Sequence, residues 1–116
     1  MATEIVDEAE RMRRVPGIMF TGAPGHRKAR IIGHRIDVWY IIQCCRDAGG
    51  DRARLPEYLE TLTPEEIDAG LRYYELYPEE IDKRLEINAK IAAYAEAHPG
   101  PFFPPFPQEL NDLLDM

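Results

Sequence analysis

The sequence predicts a mainly helical domain that opens with a β-hairpin and ends in a long helix and a Pro/Phe-rich tail. Three observations carry this. Two β-compatible runs, Ile18-Met19-Phe20-Thr21 and Ala29-Arg30-Ile31-Ile32, flank the Gly/Pro-containing connection 22–28. From Val38 onward, apolar residues recur at the spacing of one buried helical face. Thr63-Pro64-Glu65-Glu66 is a helix start written in full, with a capping hydroxyl, a proline at the first helical position and a glutamate that can reach back.

Residues 1–14 read as a short polar helix or a frayed terminus ending in Arg11, Arg13 and Arg14, which Val15-Pro16-Gly17 breaks. The hairpin follows, with Arg27 and Lys28 at or near its tip and Arg30 on its second strand. Asp37 can cap a helix from Val38 to about Ala48 that buries Val38, Ile41, Ile42 and Cys45, and Gly49-Gly50 ends it. Asp51 can cap a shorter helix carrying Leu55, Leu59 and Leu62, made irregular by Pro56 in its second turn. The helix from Pro64 is expected to bury Ile67, Leu71 and Tyr74.

Pro78 ends or kinks that helix and begins another, reaching about Ala97. Its pairs Glu79/Lys83, Glu80/Arg84 and Glu86/Lys90 stand at i,i+4 with the acid first, the favourable order. Ile81, Leu85, Ile91, Ala92 and Ala95 make only a thin apolar stripe, which suits packing against another helix and predicts a homodimer. The organisation is therefore a polar segment 1–14, a domain 15–97 with a helical extension, and a tail 98–116. In the tail, residues 98–107 hold five of the ten prolines and three of the four phenylalanines, a composition for extended polyproline II. Phe102, Phe103, Phe106, Leu110, Leu113 and Leu114 need cover, either from the chain's own domain or from a partner. The partner is preferred, and these six are the candidate partner-binding residues.

The chain has 116 residues, 45% apolar and 30% charged, a composition that fits one folded domain plus a tail. Neither a membrane span nor a secretory leader is visible, so a cytoplasmic address is expected. Net charge is −7, but it is segregated: residues 1–55 carry ten basic and seven acidic side chains, residues 56–116 four and fourteen. Opposite poles suit a protein with two different partners, and equally an ordinary solvated surface. Cys44 and Cys45 are neighbours, badly placed for a disulfide and too few for a zinc site, and read as structural.

The stretch Ile31-Ile32-Gly33-His34-Arg35-Ile36-Asp37-Val38-Trp39, then Leu62-Thr63-Pro64-Glu65-Glu66-Ile67, then Tyr73-Tyr74 before Pro78-Glu79-Glu80-Ile81-Asp82, resembles domain-of-unknown-function family 433 along residues 15–85. The resemblance implies a small helix-turn-helix or winged-helix-like domain with an N-terminal hairpin, usually dimeric. It also implies an antitoxin that neutralises a PIN-like nuclease toxin encoded beside it. The family commonly has Gly-Thr-Arg where this chain has Gly33-His34-Arg35, a Tyr-Pro where it has Glu60-Thr61, and alanine where it has Gly70. The helix beyond Asp82 and the tail lie outside the resemblance.

For operator DNA, the candidate contacts are Arg11, Arg13, Arg14, Arg27, Lys28, Arg30 and Arg35. A recognition helix at 63–77 would present Glu65, Glu66 and Asp68 to phosphate, so the hairpin and the arginine-rich segment are the better DNA-facing surface. An enzyme would have to be assembled from His26, His34, His98 and scattered carboxylates. With no His-x-x-x-His pair, phosphate loop or nucleophile elbow, no catalytic residue, metal or cofactor is expected. His34 is expected to make a local hydrogen bond, and Trp39 and the tyrosines to serve core or interface. A stand-alone DNA-binding regulator and a structural adaptor without DNA are the other two readings.

Overall fold

The computed structural model describes residues 2–97, with side chains from residue 7 onward; the tail, with its six candidate partner-binding residues, lies outside the described residues. Helix α1 (Ala2–Arg14) leads into strands β1 (Ile18–Thr21) and β2 (Lys28–Ile31). Helices α2 (Val38–Asp47), α3 (Leu55–Tyr58), α4 (Pro64–Leu76) and α5 (Pro78–Ala97) follow, with a single 3₁₀ turn, Arg52–Arg54, before α3. The protein is thus mainly helical, with an N-terminal hairpin and an extended last helix. Among the described residues, those up to Ile81 form one compact unit and those at 82–97 belong to a second.

The hairpin pairs antiparallel, with Ile18 opposite Ile31 and Phe20 opposite Ala29. Period-two alternation sends Ile18, Ala29 and Ile31 into the core, each at most 4% exposed. Ile32, expected to extend β2, is instead 53% exposed, because it points to the opposite face from Ile31 and the chain turns there. Gly22 closes the strand at φ +112°, a backbone angle that side-chain-bearing residues rarely adopt.

Helix α2 buries Val38, Ile41, Ile42 and Cys44, so Cys44 takes the core place expected of Cys45. The buried seam drifts along Ile41, Cys44 and Ala48 (i, i+3, i+7), and α4 meets it at Ile41. On α4 the buried positions are Ile67, Gly70 and Tyr73; Leu71 and Tyr74, expected in the core, are only half-buried. The cause is Gly70. A Cβ there would stand 2.5 Å from Ile41 Cδ1, so its absence lets the two helices close on the 67/70/73 face.

The expected capping box is complete. The Thr63 hydroxyl accepts from the Glu66 N–H at 3.2 Å, and Glu66 Oε1 accepts from the Thr63 N–H at 2.8 Å. Asp51 caps the 3₁₀ turn through the Ala53 N–H, Pro56 falls in the first turn of the four-residue α3 and separates it from that 3₁₀ turn, and Leu55, Leu59 and Leu62 are buried as expected. In the second unit Leu85 and Ile87 are buried and Ala92 is exposed, so Ile87 replaces Ala92 in the expected stripe. Of the three i,i+4 pairs, Glu86–Lys90 closes at 3.3 Å, whereas Glu80 turns to Arg11 and Tyr73.

Candidate binding surfaces

The candidate DNA contacts divide into two groups. Arg27 makes a two-pronged bond to Glu8, 3.0 Å from Nε and 2.8 Å from Nη2, and its Nη1 donates to the Gly22 carbonyl. Glu8 is the one buried charged residue among those described, and the arginine compensates it. Arg30 donates to Asp37 Oδ1 at 3.0 Å, and the Trp39 indole N–H donates to Asp37 Oδ2 at 3.0 Å. Asp37 therefore occupies the N-cap position of α2 without giving its side chain to the helix backbone. Arg11 reaches Glu80, Tyr73 and Asp7 and lies over the Tyr77 ring at 4.2 Å, and Arg14 pairs with Glu10. Four of the seven cations are thus committed within the chain. Arg13, Lys28 and Arg35 form no ion pair among the described residues, and Arg13 and Arg35 are exposed.

Arg35 opens onto a second feature, an open cleft of about 590 Å³ between the approach to α2 and the α3 turn. One wall holds Arg35, Asp37, Trp39 and Tyr40, and the other Glu57, Tyr58, Leu59 and Glu60. Its size falls in the range of binding pockets. Tyr40 is 43% and Tyr58 39% exposed, so two large rings stand half in water. Trp39 and Tyr40 meet edge-to-face at 5.9 Å, which holds both rings at fixed angles. The Arg54 guanidinium donates to the Tyr58 hydroxyl at 3.3 Å and lies 5.9 Å from its ring centroid. The Cys44 thiol beside the Tyr40 phenol raises that phenol's pKa, and burial pushes the Cys44 thiol up, away from the reactive thiolate.

The hydrogen bond expected of His34 is not local but long-range. His34 Nε2 lies 2.8 Å from Glu66 Oε2, so the turn after β2 is tied to the α4 capping box across 32 residues of sequence. Among the described residues no three His, Cys, Asp or Glu side chains are grouped to hold a metal ion. None of the described helices is long and apolar enough to cross a membrane.

The cleft was the feature hardest to read from sequence. Its walls come from residues 35–40 and 57–61, which no local pattern links. The available signal was the Trp39-Tyr40 pair beside the apolar stripe of α2, since aromatic residues next to a buried face are placed to line its rim. No family model matches the chain, and neither a curated relative nor a similar solved structure was found.

Proposed function

We propose that the chain is an antitoxin-like domain that binds and neutralises a PIN-like nuclease, acts as a homodimer, and takes that partner on the Arg35–Trp39–Tyr40–Tyr58 cleft. The observation that carries this reading is the cleft's composition. Arginine, tryptophan and tyrosine are the residues most enriched where truncation costs binding energy, and here they converge on one concave surface with two rings exposed. The nuclease as partner is supported by the order of sequence motifs along residues 15–85. In this reading operator contact falls to Arg13 and Lys28, and to Arg35 while the cleft is empty, since the other four candidate cations are held by carboxylates of the same chain.

The test is binding to the product of the neighbouring nuclease gene, measured by calorimetry and by relief of nuclease activity. Tyr40→Ala and Tyr58→Ala should each weaken binding at least tenfold while leaving the fold intact. Wild-type affinity in both variants would remove the cleft from the interface. Failure of any adjacent nuclease to bind would favour the stand-alone regulator or the adaptor.

A further inference from the structure

We propose that Asp37 is the positioning residue of the cleft: its carboxylate, held by Arg30 of β2, fixes the Trp39 indole on the cleft wall. The inference rests on the reading of the cleft as the nuclease-binding surface and assigns what sets its shape before the partner arrives. Asp37 stands at the N-cap of α2 with extended backbone angles, φ −77° and ψ 151°. An aspartate there ordinarily accepts from the helix's second or third N–H. The Asp37 side chain makes no such bond. Both oxygens go elsewhere, Oδ1 to Arg30 Nε and Oδ2 to the Trp39 indole N–H, each at 3.0 Å. A helix cap is given up for a bond that orients a ring.

The backbone makes that choice a fixed one. Arg30 and Asp37 pair across an antiparallel bridge, and the Ile31 N–H donates to the Ile36 carbonyl at 3.0 Å, so residue 37 runs beside β2. The Arg30 and Asp37 side chains are 30% and 14% exposed, and little water competes for the carboxylate. An indole has one donor and no acceptor, so the ring of half-buried Trp39 is set by where that donor finds its partner. Trp39 in turn meets Tyr40 edge-to-face at 5.9 Å, which carries the constraint to the more exposed ring of the wall. The wall is therefore ordered before binding, and the partner loses no affinity in ordering it. Arg30, which the sequence offers as a phosphate contact, serves the cleft through Asp37.

Trp39 is the chain's one tryptophan, so its indole N–H gives a single proton–nitrogen NMR signal. The experiment compares full-length wild type, Asp37→Ser, Trp39→Phe and the double variant, with circular dichroism confirming that each is folded. Serine caps a helix as well as aspartate does, yet it removes the carboxylate. Exchange of the indole proton with solvent should be about tenfold or more faster in Asp37→Ser than in wild type. Affinity for the product of the neighbouring nuclease gene should fall about fivefold or more in Asp37→Ser. The same change added to Trp39→Phe should cost less than about twofold further, because the donor it acts through is gone. Equal exchange rates would overturn the proposal whatever the nuclease does. So would an affinity unchanged by Asp37→Ser, or losses that simply add in the double variant. If Asp37→Ser does not fold, Asp37→Asn carries the test, since one acceptor oxygen then replaces two. Exchange should there rise about threefold, and an unchanged rate would equally overturn the proposal. If exchange accelerates but no adjacent nuclease binds the wild type, the positioning role stands and the nuclease-binding reading of the cleft fails.

Discussion

The Tyr73 hydroxyl donates to Glu80 Oε2 at 2.5 Å, across the break between α4 and α5, and Arg11 Nη1 reaches both, at 2.9 and 2.6 Å. This triangle ties α1 to the start of α5 through a phenol that is 0% exposed. Burial, then the Glu80 carboxylate, push the Tyr73 phenol well above the ordinary tyrosine range. The folded state thus favours the protonated phenol. The resulting stability is fully present below pH ~10, the unfolded value, and is lost as pH rises above it. Tyr73→Phe should cost about 1–2 kcal/mol at pH 7 and flatten the alkaline loss of stability. Urea titrations of both proteins at pH 7 and pH 10.5 would show it; an equal alkaline loss in the two would assign that loss to another group.

Arg27 should behave as a structural residue. Its removal strands Glu8, whose side chain is 11% exposed, without its partner. Because the arginine is itself 31% exposed, we expect Arg27→Ala to cost about 1–3 kcal/mol, below the full penalty for a buried pair. Lys28→Ala, one residue on, should change stability by less than about 0.5 kcal/mol. Thermal melts of the two variants test the contrast, and equal melting temperatures would contradict it.

Gly70 is a packing residue. Alanine would gain helix propensity of roughly 1 kcal/mol but would press on the fully buried Ile41. Gly70→Ala should therefore destabilise by about 1–2 kcal/mol in the wild-type background. Ile41→Val removes the Cδ1 that a new Cβ would meet, so in that background Gly70→Ala should be neutral or stabilising. A double-mutant cycle in urea measures the coupling, and purely additive costs would rule out the contact.

Glu66 links three elements through one carboxylate. The Thr63 N–H, then the His34 imidazole, hold its pKa below the ordinary glutamate value. A depressed carboxylate stabilises the fold above its unfolded value of about 4.3, and that contribution fades as pH falls through the lower folded value. Glu66→Gln should lower the melting temperature at pH 7 and flatten the acid limb of stability below pH ~4. Thr63→Ala should cost about 1 kcal/mol, as loss of a cap does. An acid limb unchanged by Glu66→Gln would mean that other carboxylates set it.

Much of the fold was legible because its signals are local. The Thr63–Glu66 box, the Gly49-Gly50 stop, the hairpin and the irregular α3 each depend on residues a few positions apart, where backbone geometry alone decides the outcome. What the sequence hid depends on long-range partners. Cys44 is buried in place of Cys45, and Tyr73 in place of Tyr74; the Tyr73 side chain is met by Phe20, Tyr77, Arg11 and Glu80, partners that periodicity cannot choose. The pairing of Arg11 with Glu80, 69 residues away, left no trace in composition, so a basic stretch that reads as DNA-facing is largely neutralised within the fold. The cleft was hidden for the same reason, its two walls being joined only by folding.

The ion pairs make the DNA expectation quantitative. Binding to phosphate releases counterions, and the logarithm of affinity falls with the logarithm of salt concentration by about 0.9 per phosphate neutralised. If all seven candidate cations met phosphate, the slope would approach −6 per protomer. With Arg11, Arg14, Arg27 and Arg30 held by carboxylates, only Arg13, Lys28 and Arg35 remain for phosphate, and the slope should be near −3 per protomer. Arg13→Ala and Lys28→Ala should each reduce its magnitude by about one and weaken binding evenly across sequences. Arg30→Ala should instead leave the slope unchanged while lowering thermal stability, because its partner is Asp37. Mobility shifts on the chain's own upstream region, run from 50 to 200 mM salt with each variant's melting curve, separate the two effects. A slope near −6 that falls with Arg30→Ala would mean that the intramolecular pairs open on DNA, and the division of the seven cations proposed above would be wrong.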